Sequence, residues 1–597
     1  MAFNVGEGTS YVVLFSILAF FTLLAVASAD YFRGLLPNWL NKQLVLKDAG
    51  DDTGKESATE NGNRSDDFFL SARNSASATQ IALSVFASGM GAWIFYGPTE
   101  MGANPRISWI GLIGYSFAST TPSILACILG PIIKERCTDS SFNLTDFGRQ
   151  RYGIVMQVVI SCMSIFYMMI YLTAEMTSIA NIYAKIGNKS DLSFTSSVTI
   201  AVAVITIIYT SIGGLPASII TDKIQAIMVI VLVLMLGFAL GLKPENTVPE
   251  GNFALASNWT NEGGMASVTL VFAIISAGSF NLATWQRVWA AKSVPDMRKG
   301  FIGGSVMIFM LMMFFGIMGM IAYSLDPTAY DNDPTNNPAY LAFFDILGPL
   351  ENAWHIVSLI LVTSLATSSI DSIQNGLMSP FSVIMVRKGW NTKWIARALL
   401  VLINIPAVFL STKQYNVISL FLVADLVCAT GVLPIMFGLI TEDKMGGLIP
   451  APTEFGAFMG VFSGIVTVCI IGRVVDAPGN LFDYFWLKND GICALCGFKT
   501  MITFVVTPFS SGFFCLLFSK LDVSVRGDAA RNPLFMTGEK IEKGFYVEGA
   551  KESTKAVYDE APVEMSEFDK NQSPDIEKVQ KTYGNGDGYE SEVSVDV

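Results

Sequence analysis

The chain has 597 residues, of which 52% are hydrophobic, 12% aromatic and only 15% charged, and its mean hydropathy is +0.49. That composition excludes an ordinary water-soluble globular chain and is that of a polytopic membrane protein. The formal net charge of −12 argues against a nucleic-acid partner.

Apolar stretches of about 20 residues, the length a 30 Å hydrocarbon core demands of a helix, recur along the chain. We read about thirteen, over 10–30, 78–98, 107–132, 154–184, 192–212, 217–241, 266–287, 300–324, 352–384, 394–411, 417–441, 454–474 and 498–519. No basic residue precedes the first, which exceeds the usual apolar region of a signal peptide, so it reads as a retained helix within 1–30. Residues 31–77 form a polar loop with an acidic patch at Asp51 and Asp52.

The second span ends in "FASGMGAWIFYGPTE", Phe86 to Glu100, where three glycines and a proline stand in place of branched apolar residues. Alone, such small residues signal close helix packing. The seventh span repeats the feature in "IISAGSFNLATWQ", Ile274 to Gln286, with Gly278, Ser276, Ser279 and Asn281. Two interrupted helices in corresponding places point to a transporter of inverted repeats with its site at the breaks. The repeats are 78–241 and 266–441. Each opens on a broken helix, has a long third member (154–184 and 352–384), and carries a carboxylate in its fifth, Asp222 and Asp425. Outside the repeats lie helices in 1–30 and 454–519 and a polar tail over 520–597. The tail holds 17 acidic against 10 basic residues and reads as disordered, solvating or regulatory.

Basic residues fall in alternate loops: Arg33 to Arg73, Lys134 to Arg151, Arg287 to Lys299, and Arg387 with Lys388. Those loops are expected inside, with the N-terminus outside and the tail cytoplasmic, most simply at the plasma membrane. Asn258-Trp-Thr, in loop 242–265, then faces outward as a glycan acceptor. The eight cysteines show no metal framework; Cys493-Ala-Leu-Cys496 is a lone pair spaced for a local disulfide.

Broken helices free backbone carbonyls that lipid cannot satisfy, and carbonyls with hydroxyls suit a hard monovalent cation. The hydroxyls come from "LVTSLATSSIDS", where Thr363, Ser364, Thr367 and Ser368 recur at i, i+4 spacing. Such a stripe also serves to bond its own helix.

These residues resemble the sodium/solute symporter family over roughly 10–445. The landmarks are Asp67-Phe-Phe-Leu-Ser-Ala-Arg73, Phe86-Ala-Ser-Gly-Met-Gly91, Gly213-Gly-Leu215 with Thr221-Asp-Lys-Ile-Gln225, and Gln286-Arg-Val-Trp-Ala-Ala-Lys292. The resemblance implies an all-α LeuT-type 5+5 inverted repeat with extra terminal helices. It also implies a sodium site from carbonyls matching Ala87, Met90 and Ile360 and hydroxyls matching Thr363 and Ser364. Asp222 matches a family aspartate associated with coupling ions, sodium or proton; its plainer role is a polar partner near the inner interface.

Substrate is read from side chains beside the breaks: Gly89, Trp93, Ile94, Tyr96, Glu175, Asn281, Trp285 and Asp425. Sugar-contacting positions of the sugar-transporting branch match Gly89 and Ile94 here, which disfavours sugar. Glu175, Asp222, Asp371 and Asp425 lie in or at the ends of spans, and no Lys or Arg is read mid-span to match them. That excess of buried acid suits a cationic or hydrogen-bond-donating solute. Trp93, Tyr96 and Trp285 supply cation–π walls or simple packing. The chemistry agrees with the eukaryotic urea and polyamine branch, which the acidic tail and long loop resemble; choline or an amino acid stays open. His355 reads as a packed residue or a proton relay. A nutrient sensor keeping the fold and signalling through the tail is the reading from another class. An enzyme is disfavoured, since no nucleophile–base or metal-ligand constellation is evident, and no organic cofactor is expected.

Overall fold

Each break in the helical ladder falls where the sequence offers glycine or a capping side chain. The computed structural model describes residues 3, 5–28, 68–137, 143–189, 191–331, 339–380, 392–413, 415–444, 449–474, 483–486, 495, 497–534, 541–542 and 545–546. Residues 31–67 of the expected loop 31–77, the Cys493 and Cys496 pair, and the tail beyond 546 lie outside them. The chain divides into two units, Met1–Val547 and Glu548–Val597, and only the first contains described residues.

Helix α1 (Glu7–Ser28) packs on α6 and α10. The first repeat comprises α2 (Ala78–Gly89), a 3-10 turn (Ala92–Phe95), α3 (Gly97–Gly102), α4 (Ser108–Arg136), α5 (Ile154–Ile186) and α6 (Leu192–Leu242). The second comprises α7 (Asn261–Gly278), α8 (Leu282–Ala290), α9 (Val294–Leu325), α10 (Asn352–Leu377), α11 (Thr392–Ser411), α12 (Val417–Ala429) and α13 (Val432–Met436). Helices α14 (Glu454–Val474) and α15 (Phe498–Arg526) pack as a pair, with α15 also against α7. Apart from two-residue strands at Ile541–Glu542 and Phe545–Tyr546, the described fold is helical.

The first broken helix, α2 with α3, bends by 62°, and so does the second, α7 with α8. A third break, which the sequence reading does not anticipate, bends α12 against α13 by 48° near Thr430 and Gly431. Nine described helices are long and apolar enough to span, or twelve with each bent pair taken as one span. The expected spans 192–212 and 217–241 follow one another within α6, whose 51 residues are two helical segments separated by a kink at Gly214, together about 77 Å of helix and enough for two crossings. Gly214 divides it with φ 58°, a left-handed value favouring glycine, and a side chain there would meet the Phe69 carbonyl.

Three of the landmark segments of the sequence lie against one another, around Phe69–Ala76, Gly214 and Gln286–Lys292. Residues 74–76 pair with the chain after α8: Asn74 donates to the Trp289 carbonyl (3.0 Å), Ser75 to that of Ala290 (2.9 Å), and Lys292 returns to Ala76 (2.9 Å). Gln286 reaches the Leu70 carbonyl at 3.1 Å. Two residues that the sequence reading treats as loop charges are buried instead. Arg151 clamps the carbonyls of Gly438, Ile440 and Pro452, and Arg287 is fully enclosed. The boundary expected at residue 520 also moves, because α15 continues to Arg526 and Leu534 donates to Glu454 at 2.7 Å.

Small residues bring α3 backbone to backbone with α9: a methyl on Gly102 would collide with the Gly316 carbonyl, and one on Gly319 with that of Thr99. Gly102→Val is therefore expected to destabilise the protein by about 1–3 kcal/mol through overpacking. Thermal unfolding of the purified variant checks this, and an unchanged midpoint would refute the close crossing.

Candidate solute and ion site

The carbonyls and amides released at the breaks are met by specific side chains. Met90 is extended (φ −110°, ψ 109°) where α2 stops. Beyond it the Ala92 amide donates to the Glu175 carboxylate of α5 at 2.8 Å, an anion on the first amides of a new helical turn. The Gly89 carbonyl accepts from the Tyr171 hydroxyl at 3.0 Å. At the second break the Trp285 indole donates to the Ser279 carbonyl at 2.8 Å. Asn281 caps α8, accepting from the amides of Ala283 and Thr284 at 3.1 and 3.4 Å.

Between the breaks lies a partly open cavity with about 970 Å³ of empty space, adjoining solvent included. Gly89, Met90, Trp93, Asn281 and Asp425 are among its walls, with Tyr115, Tyr167, Tyr171 and Phe421. The rings form a box: Trp93 lies 5.7 Å from Phe421 and 6.3 Å from Tyr115, Tyr171 lies 5.3 Å from Phe421, and Tyr167 lies 6.1 Å from Tyr171. Asp425 of α12 faces this box, and among the described residues no hydrogen bond or ion pair is recorded for its side chain.

Asp222 has the opposite environment. It and Arg287 of α8 are both fully buried, and Nη2 of the guanidinium lies 2.8 Å from Oδ2. Ser84 and Ser368 each donate to the carboxylate at 2.6 Å. Arg287 also donates to Ser84 at 2.8 Å, to Ser372 at 2.7 Å and to the Ala283 carbonyl at 2.8 Å. The reading that no basic residue lies mid-span to match the acids is corrected for Asp222, whose partner Arg287 stands at the end of the seventh expected span. Arg287 follows the break closely and precedes a basic loop, so its sequence context disguises a buried partner.

Helix α2 ends at Gly89, so the carbonyls of its last turn, that of Ala87 included, lack an i+4 amide within the helix. Helix α10 packs against α2 and presents Thr363 and Ser364, both fully buried. Thr363 donates to the Leu359 carbonyl and Ser364 to that of Ile360, each at 2.7 Å, and the Tyr183 hydroxyl lies 2.6 Å from Thr363. The hydroxyls thus spend their protons on their own helix and keep oxygen lone pairs to offer. Neutral carbonyl and hydroxyl oxygens are a donor set that suits sodium.

A family model described as the sodium:solute symporter family matches residues 68–464. The chain belongs to that family. Its activity is cation-coupled symport of a small solute by an integral membrane protein. A spermidine transporter of Candida albicans, DUR31, is 28% identical over 407 residues, covering 66% of this chain and 74% of that protein. Among solved structures, a Na+-coupled sialic acid symporter in a substrate-bound outward-open state superposes with a TM-score of 0.59 at 15% identity, over 86% of this chain and 98% of that one. Mhp1, a nucleobase-cation-symport-1 family transporter, gives 0.50 at 12% identity over 78% and 96%. These likenesses place the symporter in the LeuT-type fold.

Four positions the sequence reading assigns to solute lie outside the walls of the cavity. Ile94 is fully buried in packing. Trp285 is 1% exposed and bridges its own break. Glu175 gives its Oε2 to the Ala92 amide, its buried Oε1 having no hydrogen-bond partner among the described residues, and Tyr96 lines a separate cavity. Adjacency to a break, which is all that sequence offers, does not tell whether a side chain braces the break or faces the solute. Tyr115, Tyr167, Tyr171 and Phe421 escaped notice because they lie on other helices, although Tyr167 and Tyr171 are spaced i, i+4 on α5. His355 is packed, with Nε2 3.1 Å from the Leu347 carbonyl and its ring against Phe3.

Removing one partner of the Asp222–Arg287 pair leaves an uncompensated buried charge. Asp222→Asn and Arg287→Met are each expected to lower stability by about 3–5 kcal/mol. The double variant recovers part of that loss, which a thermal double-mutant cycle on purified symporter measures; strict additivity would show the two side chains to be uncoupled.

Proposed function

We propose that the chain is a sodium-coupled symporter of a linear polyamine such as spermidine. The observation that carries this reading is Asp425, a carboxylate without a protein partner among the described residues, facing a box of Trp93, Tyr115, Tyr167, Tyr171 and Phe421. Aromatic faces and one carboxylate attract an ammonium group and contribute little to a neutral solute. Urea would leave Asp425 without a counter-charge, and an anion would be repelled by it, since Arg287 of the same wall is already answered by Asp222. The Candida albicans relative supports the same solute class.

In this reading sodium occupies the oxygens of Ala87, Met90, Ile360, Thr363 and Ser364. It joins α10 to the unwound end of α2 and favours the conformation in which the cavity accepts the amine. Linkage makes the effect mutual, so bound amine tightens sodium. Asp222, neutralised by Arg287, serves as a fixed strut of the inner half, and sodium rather than a proton drives uptake. The inward orientation of the tail and placement at the plasma membrane belong to the same proposal, resting on the distribution of Lys292, Arg298, Lys299 and the other loop cations.

Uptake of labelled spermidine, urea and choline into cells expressing the chain, with sodium and pH varied independently, tests this. Saturable spermidine uptake that needs sodium is expected, with Asp425→Asn lowering it about tenfold or more at equal surface delivery. Thr363→Ala combined with Ser364→Ala is expected to raise the sodium concentration for half-activation by about tenfold. Uptake of urea without spermidine would overturn the solute assignment, and unaltered sodium activation in the double variant would overturn the ion site.

A further inference from the structure

A second cavity of about 480 Å³ lies beyond the first break, walled by Tyr96, Glu100, Asn181, Tyr340, Tyr415 and Asn416. It adjoins the first cavity through close chain neighbours: Trp93 of the 3-10 turn and Tyr96 at its end line different chambers, and so do Ile418 and Val417 at the start of α12. Within it Glu100 Oε2 is buried and, among the described residues, has no hydrogen-bond partner. The Tyr96 hydroxyl is in the same condition, on a side chain only 4% exposed. The Tyr96 ring lies 5.9 Å from that of Tyr340, which sits on the short turn Ala339–Leu341. A buried carboxylate oxygen without a donor, beside a phenol without a partner, is costly unless something from outside completes the set.

The inverted symmetry of the fold sharpens this. In one half Asp222 is answered by Arg287 on α8, the second segment of a broken helix. In the other half Asp425 stands in the matching fifth member, and the matching segment, α3, carries Glu100, an acid where its counterpart carries a base. Two carboxylates therefore face two adjoining chambers, and among the described residues neither has a cationic partner. From Asn416, in the outer chamber, to Asp425, in the inner one, α12 advances nine residues, about 13 Å along its axis.

We propose that the Glu100 chamber is a second ammonium subsite, so that a linear oligoamine bound in the symporter lies across both chambers with one cationic end at Asp425 and another at Glu100. This rests on the polyamine reading and deepens it: the site then selects amines by having charges at two separated positions, and a monoamine engages only the inner chamber. Tyr96, Tyr340 and Tyr415 supply ring faces to the outer ammonium, while the side-chain amide of Asn181 offers its carbonyl oxygen as an acceptor.

The test uses the full chain in proteoliposomes, with labelled spermidine as the transported probe and n-butylamine as a monoamine competitor. In Glu100→Gln the half-saturation for spermidine is expected to rise about tenfold. Sodium half-activation is expected to stay unchanged, and the preference for spermidine over n-butylamine to collapse. Tyr340→Ala, outside the long helices, is expected to shift the preference in the same direction and guards against a folding artefact at Glu100. An unchanged preference in both variants, or a parallel loss for both amines, would overturn the second subsite. If Asp425→Asn abolishes spermidine uptake while Glu100→Gln does not affect it, only the subsite falls; if the wild-type protein takes up no amine, the polyamine reading falls with it.

Discussion

A backbone amide or carbonyl freed in the middle of a bilayer has no water to turn to, and the architecture of this protein is organised around meeting that need. The first two breaks are braced from a neighbouring element or by their own chain: Glu175 on the Ala92 amide, Tyr171 on the Gly89 carbonyl, Trp285 on the Ser279 carbonyl, Asn281 on the first amides of α8. The bracing explains why the breaks persist as 62° bends and do not anneal into continuous helix. It also sets which groups remain for solute and ion. Polar atoms already spent on the backbone are unavailable, and what is left over, namely Asp425, the aromatic box and the carbonyls of the last turn of α2, defines the proposed site.

Charge follows the same division between the halves. On the side of Asp222 the protein supplies its own counter-ion, and Arg287 is held by acceptors from α2, α6, α8 and α10. A buried pair of this kind contributes little net stability, since desolvation offsets most of the attraction. Its value lies in fixing geometry: α8, α6, α10 and α2 are tied at one point, next to the break of α7 and α8. On the side of Asp425 no such tie is present among the described residues, which is why the cationic end of the solute is proposed to bind there.

Much of this was legible in the sequence, and the part that was not has a consistent cause. The two broken helices announced themselves through Gly89, Gly91, Gly278 and Asn281, because glycine and a capping amide in an apolar span are costly without a reason. The third break, at Thr430 and Gly431, has a single glycine and Pro434 in an otherwise apolar run, too weak a signal to separate from a packing contact. Gly89, Trp93, Asn281 and Asp425 line the cavity, while Ile94, Glu175 and Trp285 turn away from it, for position beside a break fixes distance but not direction. Arg287 and Arg151 were hidden differently. Loop charge and buried charge look alike when each lies a turn from a span end, and only the partners, Asp222 in one case and three carbonyls in the other, tell them apart.

Helix α10 carries the consequence furthest. Thr363 and Ser364 lie on it, where the ion is proposed to bind; one turn later Thr367 accepts from Gln225 at 3.0 Å, and Ser368 donates to Asp222. Ser372 completes the series on Arg287. A single helical surface therefore runs from the proposed ion site to the ion pair of the inner half, with α6 engaged through Gln225 and Asp222 and the second broken helix through Arg287. An ion that draws α10 toward the end of α2 acts on a body already joined to both repeats. In the proposed mechanism the differential contact needed to shift a conformational equilibrium arises at the Thr363–Ser364 end, where Ser364 is bonded only to its own helix and Thr363 also meets Tyr183 of α5, while the Asp222 end, bonded to Ser84, Ser368 and Arg287, acts as the pivot.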